Sequence, residues 1–124
     1  MKTVVDASVV LDLLLGEGNK VAEEFWSREA SGLELLAPKI LGYEVMNGLR
    51  SAVLQRRMSL AEAVNGWKRF GKLDIGMVDM EDGEVIVEFA CRNNRSVYDS
   101  SYAVLARKMN VELVTLDRKL KELV

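Results

Sequence analysis

Histidine is absent from this chain, and cysteine occurs once, at Cys91. Histidine is the usual general base near neutral pH and the commonest metal ligand, and thiolates are the usual alternative. Their shortage excludes a histidine-based triad, a Cys–His pair, a zinc finger and a haem-type site built from one chain. It also excludes an internal disulfide. Proline is nearly missing too, with Pro38 alone, and no linker, repeat or low-complexity tract interrupts the 124 residues. The chain therefore reads as one domain over 1–124. No apolar run approaches the ~18 residues that span a bilayer, and an acid at Asp6 precedes any signal-peptide core. The expectation is an intracellular, cytoplasmic protein with no membrane segment. Excess positive charge is lacking as well, because 17 Lys+Arg face 19 Asp+Glu for a formal net charge of −2. A broad basic coat for nucleic acid is thereby excluded, and any such contact must use local patches.

What the chain does have is carboxylate, and carboxylates with waters suit hard cations such as Mg²⁺ or Mn²⁺. Strand patterns at 2–5, 33–37 and 112–116, with a weaker one at 75–78, alternate with helical patterns at 9–15, 21–29, 38–55, 59–70, 81–92, 97–109 and 119–124. Pro38 is placed in the first turn of its helix, and Ser59 with Glu62 reads as a capping box. The alternation implies a three-layer α/β/α sandwich around a central parallel sheet of four to five strands. The strands leading to Asp6 and Asp117 carry the strongest apolar patterns and are expected at the centre of the sheet. The strand at 75–78 is expected at its periphery.

In such a fold the carboxyl ends of strands and the starts of helices share one edge, where ligands bind. Asp6 and Asp117 close strands, Asp99 lies in the first turn of a helix, and Glu44 lies in the second turn of another. Four acids from distant sequence are thus expected on one rim. Each has a plainer alternative when taken singly. Asp6 and Asp117 suit N-caps, and Ser96-Val97-Tyr98-Asp99 suits a capping box. Glu44 shares a polar helix stripe with Asn47, Gly48, Ser51 and Gln55. Asp79, Glu81, Asp82 and Glu84 also sit near a helix start and are read as solvated acids.

Taken together, Val4-Val5-Asp6-Ala7-Ser8, Glu44 in the helix after Ala37-Pro38, Tyr98-Asp99-Ser100-Ser101-Tyr102-Ala103-Val104-Leu105-Ala106 and Leu113-Val114-Thr115-Leu116-Asp117 resemble, in order and spacing, the PIN-domain ribonucleases. The nearest subgroup is the VapC toxins of prokaryotic toxin–antitoxin pairs. The resemblance implies an endoribonuclease dependent on Mg²⁺ or Mn²⁺, with Asp6, Glu44, Asp99 and Asp117 as catalytic and metal-binding acids and with Ser8 and Thr115 as hydroxyls beside them. It further implies an RNA substrate, a VapB-like antitoxin as partner, and a homodimer. Lys119 and Lys121 stand where some relatives carry a further acid. Grip on RNA would come from local cations: Arg92 and Arg95 flank the turn before Asp99, and Arg118 and Lys119 follow Asp117. Tyr98 and Tyr102 are candidates for base stacking, although helical spacing with Leu105 and Ala106 places Tyr102 in the core. The alternative is a PIN-like scaffold that binds RNA or a protein without cutting.

Overall fold

The structure, a computed structural model, describes all 124 residues. Strands β1 (Lys2–Val5), β2 (Glu34–Pro38), β3 (Ile75–Val78) and β4 (Glu112–Val114) form one wholly parallel sheet in the order β3-β2-β1-β4. Parallel neighbours need long crossovers. Helices α1 (Ala7–Leu15) and α2 (Lys20–Glu24) join β1 to β2, and α3 (Ile40–Leu54) and α4 (Leu60–Phe70) join β2 to β3. The pair α5 (Gly83–Asn93) and α6 (Val97–Met109) joins β3 to β4, and α7 (Arg118–Glu122) follows. Right-handed crossovers that step in one direction share a face. Helices α1 to α4 therefore cover one side, and α5 with α6, which return across the sheet, cover the other. The result is a three-layer α/β/α sandwich with a four-stranded parallel sheet.

Coverage on both faces explains why the strands read as unbroken apolar runs. Val4, Val5, Ala37 and Leu113 are buried between the layers. Val9, Val10, Leu41 and Val45 meet them from one side, and Tyr102, Ala103 and Ala106 of α6 meet them from the other.

Three expectations are corrected. β4 is an edge strand, not a central one, and β1 alone of the pair is interior. Apolar patterning reports burial of a strand's two faces; α6 packs over β4, so Leu113 and Val114 are buried even at the sheet margin. Pro38 ends β2, opposite Val78, and α3 begins only at Ile40. Its missing N–H falls beyond Leu36, the last β2 residue paired with β1, so no ladder bond is lost there. The helical pattern at 21–29 is α2 followed by a π-helical turn, Phe25–Glu29, in which Phe25 is buried and Trp26 Nε1 donates to Val9 O at 3.1 Å. β3 lies at the opposite edge, as its weak pattern implied.

β1 connects to β2 on one side and pairs with β4 on the other, so the chain reverses direction between β1 and β4. That reversal opens a crevice at their carboxyl ends.

Candidate active site

Asp6 leaves β1 and caps α1, its Oδ1 accepting from the Ala7 N–H at 2.8 Å. Its Oδ2 accepts from two hydroxyls, Ser8 Oγ at 2.9 Å and Thr115 Oγ1 at 2.7 Å. Those hydroxyls are themselves committed. Ser8 Oγ accepts from Leu116 N and Thr115 Oγ1 accepts from Asp117 N, each at 3.1 Å, so the single proton of each goes to Asp6. The network ties the end of β1 to the end of β4. It also occupies three of the about four lone-pair positions of the carboxylate, leaving about one for the crevice. Burial pushes the Asp6 carboxyl above its ordinary pKa, the two hydroxyls and the Ala7 N–H oppose that rise, and the charge of Asp99 adds to it.

Glu44 projects from the second turn of α3, where Tyr102 Oη donates to its Oε1 at 2.6 Å. Burial raises the Glu44 pKa first, the Tyr102 donor pulls it back, and the charges of Asp6 and Asp99 raise it further. Tyr102 is fully buried, and its phenol is held protonated by that burial and by the facing Glu44 carboxylate. Asp99 lies in the first turn of α6, where its N–H donates to the Ser96 cap at 2.9 Å. The reciprocal half of the expected capping box is missing, because the Asp99 carboxylate turns to Arg95 instead.

Asp117 caps α7 through Oδ1, which accepts from Leu120 N at 3.1 Å. Its Oδ2 accepts from Arg95 Nη2, and the same nitrogen donates to Asp99 Oδ2 at 3.1 Å. Arg95 holds the Asp117 carboxyl below its ordinary pKa.

Asp6, Glu44, Asp99 and Asp117 all line one cavity of about 640 Å³, together with Ser8 and Asn47. Tyr43 and Tyr98 stand exposed on its wall. As arranged, no three of these carboxylates converge on one point. Tyr102 engages Glu44, and Arg95 engages Asp99 and Asp117. The donor set nevertheless fits a hard divalent cation. It is made of carboxylate oxygens; burial does most to raise Asp6 and Glu44, and the smaller rise that neighbouring carboxylates add is what a cation offsets.

The other singled-out residues lie elsewhere. Arg92 is exposed and pairs with Glu88 at 2.8 Å. Arg118 and Lys119 are exposed on α7, and neither lines the cavity. Asp79 pairs with Lys39, while Glu81 and Asp82 pair with Lys108, away from the four acids. Sequence reasoning missed the Tyr102 hydroxyl as the partner of Glu44 and Arg95 as a partner of acids. Only Tyr102 had a signal for its place: it stands three residues after Asp99 on the same face of α6, whereas Arg95 precedes the Ser96 cap and lies outside that helix.

Comparison with known proteins gives a consistent set of likenesses. The family model described as PIN domain matches residues 3–124. Ribonuclease VapC9 of Mycobacterium tuberculosis is 33% identical over 123 residues, 96% of this chain and 88% of that protein. Ribonuclease VapC3 of Pyrobaculum aerophilum is 32% identical over 129 residues, 98% and 94% of the two chains. The crystal structure of PAE2754 from Pyrobaculum aerophilum, 24% identical, superposes with a TM-score of 0.74 over 100% of this chain and 80% of that one, a likeness of fold.

Proposed function

We propose, from the premise that this chain belongs to the PIN-domain family, that it is an endoribonuclease acting as the toxin of a toxin–antitoxin pair. The observation that carries this reading is the single cavity shared by Asp6, Glu44, Asp99 and Asp117. These four acids would hold Mg²⁺ or Mn²⁺, which when bound supplies Lewis-acid polarisation of the scissile phosphate and a nucleophilic water at neutral pH.

The chain's own residues do the rest. Ser8 and Thr115 favour the ionised form of Asp6 against its burial and fix its rotamer, because both hydroxyls only donate to it. Tyr102 fixes Glu44 through Oε1, which leaves Oε2 free to face the ion or the attacking water. Asp99 and Asp117 bring negative charge from the starts of α6 and α7. The exposed rings of Tyr43 and Tyr98 offer stacking faces to unpaired bases. Arg118 and Lys119, just beyond Asp117, offer phosphate contacts. A VapB-like antitoxin and a second copy of the chain complete the partners of this reading.

Structured RNAs incubated with the protein should be cut in Mg²⁺ or Mn²⁺ and left whole in chelator. Asp6→Asn and Asp99→Asn should each lower the rate at least about a hundredfold. Attack by water predicts 5′-phosphate and 3′-hydroxyl ends, whereas attack by the RNA 2′-hydroxyl would leave a cyclic phosphate. RNA binding with no cleavage under either ion would overturn the proposal in favour of a scaffold.

A further inference from the structure

Arg95 occupies the position before the Ser96 cap of α6. A positive charge there works against the helix macrodipole, so helix stability gives no reason for it. Its own N–H is bound to Ala90 O at 3.0 Å, just after the left-handed Asn94 that ends α5, which fixes where the side chain begins. The side chain is only 15% exposed. One nitrogen, Nη2, serves both Asp99 Oδ2 and Asp117 Oδ2, while Nε is buried with no acceptor. An arginine that braces a carboxylate most strongly does so with a two-nitrogen fork. Here one nitrogen spans two acids and a buried donor goes unmatched, an arrangement that is easier to exchange.

We propose that Arg95 is an internal counter-cation, a positioning residue that holds Asp99 and Asp117 and that a divalent ion displaces from Asp99. The inference rests on the reading of the cavity as a divalent-ion site. Guanidinium and ion compete for the same carboxylate, so the apparent ion affinity is lowered by the fraction of molecules in which Arg95 holds Asp99. In return, Asp99 does not face Asp6 and Glu44 without a positive partner, which would strain the cavity through like-charge repulsion.

The test combines calorimetric titration with Mn²⁺ and thermal unfolding, using the full chain, Arg95→Met, Arg95→Lys, and Arg92→Met as a control for loss of one positive charge. Arg95→Met should bind Mn²⁺ about tenfold more tightly than the wild type. It should melt below the wild type in chelator, and that deficit should close in saturating Mn²⁺. Arg95→Lys, which keeps the charge, should fall between the two, and it carries the comparison if the methionine variant does not fold. Arg92→Met should bind Mn²⁺ as the wild type does. Equal Mn²⁺ affinity in wild type and both Arg95 variants, with the same melting deficit in chelator and in Mn²⁺, overturns the exchange and leaves the ion site standing. Failure of all of them to bind Mn²⁺ overturns the exchange and the ion-site reading together.

Discussion

At Asp6, burial and hydrogen bonding pull the same carboxyl in opposite directions, and Thr115 is the largest of the opposing donors. Thr115→Val keeps the shape, removes that donor and leaves the Asp117 N–H without its acceptor. It should destabilise the protein by about 1–3 kcal/mol in urea unfolding. It should also raise the Asp6 pKa further, moving the acid limb of the cleavage pH profile to higher pH. Glu44 permits a test of linkage. Its folded pKa lies above its ordinary value, so its favourable contribution is present below the unfolded pKa and is lost as pH rises through the folded one. Glu44→Gln should therefore be more stable than the wild type in chelator at pH 7, and the difference should vanish by about pH 4, near the unfolded carboxylate pKa. Asp117, lowered by Arg95, has the opposite sign: its contribution is present above the unfolded pKa and is lost as pH falls through the folded one.

Among the elements, α4 and α6 start alike and matter differently. Ser59 caps α4 in a reciprocal box with Glu62, whereas Ser96 caps α6 alone and holds the turn that carries Asp99. Ser59→Ala and Ser96→Ala should each remove about 1 kcal/mol of stability. Only the second should also slow cleavage, by letting the first turn of α6 fray. The element order and the rim of four acids were legible in the sequence, because helix and strand periods, caps and strand-end acids are local signals. The place of β4 was not, since burial of its faces by helices looks the same at an edge as at the centre. Pro38 was ambiguous for a related reason: its fixed φ suits both a strand end and a helix start. The pairing of Tyr102 with Glu44 spans 58 residues, and that of Arg95 with Asp117 spans 22. Neither pairing leaves a local pattern.

For the molecule as a whole, a net charge of −2 leaves little long-range attraction for a polyanion. RNA affinity, measured on Asp6→Asn to prevent cutting, should fall with log salt at a slope of about −2 or shallower, the mark of at most about three phosphate contacts on a single strand. A steep slope would point to a basic face other than Arg118 and Lys119. The sheet also sets when the site can exist. Thr3 and Glu112, hydrogen-bonded across β1 and β4, are 109 residues apart, and Asp6 depends on Thr115 from the far side of that junction. During synthesis Asp6 and Glu44 are made long before Thr115 and Asp117. A chain broken off just before β4 therefore keeps Asp6 and Glu44 but lacks both the Thr115 hydroxyl and the strand that hold Asp6 in place, so an incomplete product carries no finished cluster of acids.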